Sequence, residues 1–167
     1  VSGINQGANI GLDVLHSGTV GAASEGASLG IPAIAVSSSY QDFSMAQKYI
    51  KNIVKYLIDK DLVSNEYVLN INFPSHEYQE PVGIKFTVQG HHKHRPVFRK
   101  KSFNRYLPIY QKYDIKEEKN SDVYCYKHGI ISITPVFEDR SRSEFSEKLD
   151  LENSQQLNEA LNYGKIK

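Results

Sequence analysis

The first 32 residues constrain the fold of this chain more than any other stretch. They comprise a segment rich in glycine and asparagine, a Ser-Gly-Thr turn at residues 17–19, and a run of very small residues. That run predicts a short helix over Val20–Leu29, because a glycine and then a proline follow its end. Ser17 or Thr19 would cap the helix, and the glycine-rich segment before it predicts a loop.

The start of such a helix suits an anion. Its first backbone amides have no partner within the helix, and they lie at the positive end of the helix dipole. Phosphate is the anion that this type of helix start favours as a ligand. Loops and caps of this composition also occur where nothing binds, and composition alone favours that alternative. The order of loop, turn, helix and then an apolar strand favours a ligand site instead.

A long set of spaced residues runs through the same stretch and continues weakly downstream in 69–74 and 129–135. Its members are Ser2-Gly3-Ile4-Asn5, Gly7, Asn9, Gly11, Asp13-Val14-Leu15, Ser17-Gly18-Thr19-Val20, Ala22-Ala23, Glu25-Gly26, Leu29-Gly30 and Pro32-Ala33. This pattern resembles the signature of the SurE family, the survival proteins that act as metal-dependent nucleoside monophosphate phosphatases.

The resemblance implies a fold and a site. The implied fold is a three-layer, Rossmann-like α/β domain with a mainly parallel sheet and a projecting β-hairpin arm. The implied site holds one divalent metal ion, Mg²⁺ or Mn²⁺, with Asn5 as a ligand. Asn9, Ser17, Gly18 and Thr19 would bind the phosphate and stabilise the transition state.

The position of Val1 adds an expectation about the missing part of that site. We expect the strand that feeds the glycine-rich loop to lie upstream of Val1, because ligand loops follow the carboxyl ends of strands in open α/β sheets. The resemblance implies that upstream residues, an aspartate pair and a serine, complete the metal site. We therefore expect this chain to be inactive by itself.

Downstream patterns predict the remaining core. Apolar residues at three- and four-residue intervals predict an amphipathic helix from Asp42 to Asp59. Continuous or alternating apolar residues predict four strands, over 33–36, 67–73, 82–90 and 123–134, with a break at 37–40. Asn70 and Asn72 fall on one face of their strand, where we expect them to hydrogen-bond a neighbouring loop or strand end.

The segment 90–124 predicts the hairpin arm. Its first part, GHHKHRPVFRKKS, holds three histidines and five basic residues. A metal site is disfavoured there because no cysteine or carboxylate completes a shell, so a solvated basic face is the favoured interpretation. Apolar and aromatic residues between 106 and 113 indicate a contact between protomers, and the resemblance implies homodimers or homotetramers with exchanged arms. Single-stranded nucleic acid is the less favoured partner.

Composition bounds the class of protein. With 167 residues, 40% hydrophobic content and a formal net charge of +1, the chain fits one globular domain over 1–167 with a helical tail at 141–167. The single cysteine, Cys125, excludes an internal disulfide and favours a reducing compartment. No apolar run is long enough for a membrane span, so we expect a cytoplasmic protein without a membrane partner.

Two functions remain open at this point. The first is a nucleoside monophosphate phosphatase, to which this chain contributes the larger piece. The second is a non-catalytic module that binds an anion and assembles through its arm.

Overall fold

A computed structural model describes residues 1–40, 42–91, 95–111 and 117–137. Seven strands and three α-helices follow one another in these ranges, together with one 3₁₀ helix, η1, over Gly11–His16. The strands are β1 (Ser2–Gln6), β2 (Ala33–Ser38), β3 (Val68–Asn72), β4 (Gly83–Phe86), β5 (Arg95–Ser102), β6 (Arg105–Gln111) and β7 (Ile130–Val136). The α-helices are α1 (Gly18–Ser28), α2 (Ser44–Asp59) and α3 (Asp122–Lys127).

Five strands form the central sheet, in the order β1-β2-β3-β7-β4. The pairs β1–β2, β2–β3 and β4–β7 are parallel, and the pair β3–β7 is antiparallel. Helix α1 connects β1 to β2, and α2 lies between β2 and β3 in the chain. The expected mainly parallel α/β sheet with flanking helices is confirmed.

Side chains of β2 show why the molecule has three layers. Ile34 and Val36 belong to one core cluster, which includes Ala46 and Leu57 of α2. Ala33 and Ala35 belong to a second cluster, which includes residues of α1. Since successive strand residues point to opposite faces, α1 and α2 cover opposite faces of the sheet. The small side chains of α1 bring that helix close to β2, where Gly26 faces Ala33.

The expectation that the Gly-Asn segment is a loop from its first residue is wrong. Residues Ser2–Gln6 form β1, with Asn5 opposite Ser37 of β2. The strand that feeds the loop is therefore on this chain, and pairing with β2 outweighs the low strand propensity of glycine and asparagine. Gly3 has a φ of +120°, and a Cβ there would lie 2.3 Å from the carbonyl oxygen of Val36. Only glycine allows β1 to approach β2 this closely.

Two further boundaries differ from expectation. Strand β2 continues through Ser37 and Ser38, which were expected to break it, because both residues pair with β1 and are buried. The predicted strand over 123–134 is wrong in its first half. Residues Asp122–Lys127 form helix α3, which Ser121 caps by accepting a hydrogen bond from the Tyr124 amide at 3.1 Å. Strand β7 begins only at Ile130, after Gly129.

Strands β5 and β6 pair with no third strand of the described part of the chain, and together they form an antiparallel hairpin within the expected arm. Several of its apolar side chains are exposed, including Phe98, Phe103, Tyr106 and Leu107. The histidines at 92 and 94, the residues 112–116 and the predicted helical tail at 141–167 lie outside the described residues. Among the residues that are described, no helix is long and apolar enough to cross a membrane.

Candidate functional site

The site forms at the carboxyl ends of three parallel strands. Asn5 of β1 lies opposite Ser37 of β2, and Ser37 lies opposite Asn72 of β3. The chain leaves β1 at Gly7, whose amide donates to the Ser38 carbonyl at 3.0 Å. Open α/β sheets bind their ligands at this edge. The expected location of the loop at the carboxyl edge therefore agrees with the fold.

Asn9 fixes the loop on the sheet. Its backbone N–H donates to Oδ1 of Asn72 at 2.8 Å, and its carbonyl accepts from Nδ2 of Asn70 at 2.8 Å and from Nδ2 of Asn72 at 3.2 Å. Its own Nδ2 donates to Oγ of Ser37 at 2.7 Å. Asn70 and Asn72 thus hydrogen-bond a neighbouring loop, as predicted. The side chain of Asn9 is buried and supports the loop, and its contact with phosphate stays a prediction.

The turn before α1 has the geometry of an anion site. Ser17 is the N-cap, and its Oγ accepts a hydrogen bond from the Val20 amide at 3.1 Å. The helix begins at Gly18, two residues before the predicted start. Within the described residues, no protein group accepts from the amides of Gly18 and Thr19. These two N–H groups, together with the Ser17 and Thr19 hydroxyls, are the donors that a phosphate would use.

The topology places that turn near β1. A crossover helix between two neighbouring parallel strands starts on the side where the first strand ends. The amino end of α1 therefore faces the same edge of the sheet as Asn5 and the Gly7 loop.

Asn5 is held at the end of β1 by its amide nitrogen. Nδ2 donates to the Gly7 carbonyl at 2.8 Å and more weakly to that of Gln6 at 3.4 Å. No partner of Oδ1 is found among the described residues, so this carbonyl oxygen is the atom that suits a hard cation. Within the same residues, no three His, Cys, Asp or Glu side chains lie close enough together to hold a metal ion. The Oδ1 of Asn5 could therefore supply one ligand to a metal ion, while the described residues contain no full set of His, Cys, Asp or Glu ligands around it.

Sequence reasoning missed two residues behind the loop, Asp122 and Gln89. The buried carboxylate of Asp122 accepts hydrogen bonds from the amides of Gly11, Gly90 and Val123. Burial raises the pKa of the Asp122 carboxyl, and those three amides oppose the rise. Gln89 donates from Nε2 to the Gly11 carbonyl at 2.8 Å. The Ser121-Asp122 pair at the start of α3 is a helix-cap signal, and such a signal does not indicate a link to residue 11.

We expect the replacement Asn72→Ala to destabilise the protein strongly. It removes the acceptor of the buried Asn9 N–H, and an unpaired buried donor together with a small cavity costs about 3 kcal/mol. Urea unfolding followed by circular dichroism measures the loss. Asn65→Ala, at an exposed position in the loop before β3, is the control and should change stability by less than about 0.5 kcal/mol. Equal midpoints for the two variants would contradict this role of Asn72.

Together these features define a class: a Rossmann-like α/β protein with a capped helix start, a candidate anion site, at the carboxyl edge of its sheet. A family model described as "Survival protein SurE" matches residues 1–96. The chain belongs to the SurE family.

Individual relatives extend the similarity beyond residue 96. The chain is 40% identical over 157 residues to the protein named 5'-nucleotidase SurE of Pelotomaculum thermopropionicum, covering 89% of this chain and 59% of that protein. It is 38% identical over 143 residues to the protein of the same name from Pseudoalteromonas atlantica, covering 81% of this chain and 57% of that one. The chain thus spans about three fifths of the length of these curated relatives.

A solved structure agrees with the fold. The SurE protein from Aquifex aeolicus superposes with a TM-score of 0.71 at 30% sequence identity, covering 90% of this chain and 64% of the other.

Proposed function

We propose that the protein is a metal-dependent phosphomonoesterase that hydrolyses nucleoside monophosphates to nucleoside and phosphate. The carrying observation is the capped start of α1 at the carboxyl edge of the sheet, where none of the described residues accepts a hydrogen bond from the Gly18 or Thr19 amide. The relatives named 5'-nucleotidase support the choice of substrate class. The proposal covers both 5'- and 3'-monophosphates, since the phosphate is the part of the substrate that this turn would bind.

The chemistry assigns separate tasks to the residues of the chain. Hydrolysis forms a bond from phosphorus to a water oxygen and breaks the bond from phosphorus to the sugar oxygen, which leaves with a proton. The Gly18 and Thr19 amides, with the Ser17 and Thr19 hydroxyls, would hold the phosphoryl oxygens as they redistribute charge. Asn9 would add a side-chain donor while it holds the loop on β3.

A metal ion fits this proposal at Asn5. Mg²⁺ and Mn²⁺ prefer oxygen ligands, and the Oδ1 of Asn5 is a neutral oxygen at the end of β1. Such an ion neutralises phosphoryl oxygens and lowers the pKa of bound water. Within the described residues, no group of three His, Cys, Asp or Glu side chains could hold the ion. We therefore propose that ligands from outside these residues complete the site with Asn5.

The arm suggests how copies of the protein would associate. Exposed apolar side chains on β5 and β6, and Phe103 in the turn between them at 86% exposure, are more than a two-stranded hairpin can bury by itself. We propose that they pack against another copy in a homodimer or homotetramer with exchanged arms, in a cytoplasmic enzyme. The buried thiol Cys125, whose pKa burial raises, is compatible with a reducing compartment.

The deciding experiment measures phosphate release by the complete protein from a panel of nucleoside monophosphates. We expect release with Mg²⁺ or Mn²⁺ and its loss with EDTA. The same assay on the 167-residue chain tests how much of the site this piece contains. Binding of phosphate without any turnover in the complete protein would overturn the proposal and favour an anion-binding module that assembles through its arm.

A further inference from the structure

One carboxylate joins the site loop to the base of the arm. Asp122 is fully buried at the start of α3. Its Oδ2 accepts from the Gly11 amide at 3.0 Å, and its Oδ1 accepts from the Gly90 amide at 2.8 Å and the Val123 amide at 2.7 Å. The Gly11 amide begins η1, the Gly90 amide lies at the start of the arm segment 90–124, and the Val123 amide belongs to α3. Three distant segments therefore meet on a single side chain.

Gly11 is held from both sides. Besides the bond from its N–H to Asp122, its carbonyl accepts from Nε2 of Gln89 at 2.8 Å. Gly11 has a φ of +54° and begins η1, which ends at His16, directly before the capping residue Ser17. Because η1 is a short 3₁₀ helix of about two turns that runs from Gly11 to His16, a shift of Gly11 would be passed on to Ser17 and the amides that follow it.

A capping role alone does not account for Asp122. The cap of α3 is Ser121, whose Oγ accepts from the Tyr124 amide, and two of the three bonds to Asp122 come from outside α3. The approach at Gly90 is also close, since a Cβ there would lie 3.0 Å from Oδ1 of Asp122 and 2.7 Å from Cγ2 of Val123. Burial of a carboxylate is costly unless several donors compensate it, and these three amides do so.

We propose that Asp122, together with Gln89, is a positioning residue that fixes the phosphate-binding turn at 17–19 and couples it to the base of the arm. This inference rests on the proposed function, because it concerns the turn that would hold the phosphate. It assigns to α3, which lies more than a hundred residues from that turn, a part in the geometry of the site.

The replacement Asp122→Asn tests the proposal selectively. Its carboxamide oxygen can keep the two bonds from Gly90 and Val123, and its NH₂ group then faces the Gly11 N–H, donor against donor. In the complete protein we expect kcat/KM for a nucleoside monophosphate to fall roughly tenfold to a hundredfold, since small displacements of binding groups have effects of this size. Most of the change should appear in KM, and inorganic phosphate should inhibit correspondingly less well.

Ser121→Ala is the matched control, because it weakens α3 without touching Gly11. It should leave kcat/KM within about twofold of the parent even if it lowers the melting temperature as much as Asp122→Asn does. Gln89→Leu removes only the donor to the Gly11 carbonyl and should lower kcat/KM in the same direction. If Asp122→Asn does not fold, Gln89→Leu decides. Equal losses from Ser121→Ala, or none from Asp122→Asn and Gln89→Leu, would overturn the proposal.

A readout independent of turnover separates this inference from the proposed function. The proposed function fails if the parent protein releases no phosphate with any of the metal ions tested. Amide hydrogen exchange then still tests the positioning role. Faster exchange at Val20 and Gly21, whose amides donate to Ser17, in Asp122→Asn than in Ser121→Ala supports it, and equal protection in the two variants overturns it.

Discussion

Ser17→Asp is expected to leave the protein folded and to abolish most of the proposed phosphatase activity. Aspartate is as good an N-cap as serine, and its charge interacts favourably with the amino end of α1. The melting temperature should therefore stay equal or rise. The same carboxylate occupies the place where a phosphate would bind, and it removes a hydroxyl donor. Loss of one such donor alone lowers turnover roughly a hundredfold to a thousandfold, and repulsion between the two anions adds to this.

Ser17→Asn is the matched control for that result. Asparagine also caps helices well, and it is neutral and carries a donor, so it should keep activity within about tenfold of the parent. Steady-state kinetics and thermal unfolding of the two variants measure both effects. A phosphatase with normal activity in Ser17→Asp would show that no phosphate binds at the start of α1.

Asn5→Ala should lower metal-dependent phosphate release by roughly a hundredfold, because a bound metal ion contributes several kcal/mol to stabilising charge in the transition state. The replacement also removes the hydrogen bond from Nδ2 to the Gly7 carbonyl, which costs about 1 kcal/mol of stability. The protein should remain folded, since Asn5 is only half-buried and lies on the edge strand β1.

Calorimetric titration with Mn²⁺ provides a readout that does not depend on turnover. In the complete protein, Asn5→Ala should weaken binding by at least about tenfold. Gln6→Ala, at the exposed neighbouring position, should change neither binding nor activity. Unchanged Mn²⁺ affinity in Asn5→Ala would remove Asn5 from the metal site while leaving the phosphate-binding turn untested by that experiment.

Local patterns in the sequence were sufficient for the elements that depend on local interactions. The apolar spacing between residues 43 and 57 predicted α2 to within two residues of its observed start. The Ser-Gly-Thr turn predicted a cap at Ser17 or Thr19, and the structure shows Ser17. Strand β1 was not predictable in this way, because its existence depends on pairing with β2, about thirty residues downstream. Helix α3 was mistaken for a strand because its apolar and aromatic residues have high strand propensity.

For the candidate site, too, the parts that depend on local interactions were predictable and the parts that depend on long-range contacts were not. Composition and order singled out the capped turn at 17–19, whose anion binding stays a prediction, whereas Asn5 as a metal ligand came only from the resemblance to a family. Asp122 escaped both approaches, since its bond to Gly11 spans 111 positions of the chain. A contact of that range leaves no periodic or local signal, and only the three-dimensional structure shows which donors meet on the carboxylate.

Asn9 is held on the sheet by the carboxamides of Asn70 and Asn72 and the hydroxyl of Ser37. None of these groups gains or loses a proton in the physiological pH range. A phosphate monoester, in contrast, acquires its second negative charge near pH 6. The hydrogen bonds that hold Asn9 on the sheet therefore stay the same above and below the pH at which the phosphate ionises. A change in phosphate affinity under mildly acidic conditions would therefore arise from the phosphate, its counterion or Asp122, whose pKa burial raises, and not from the groups that hold Asn9.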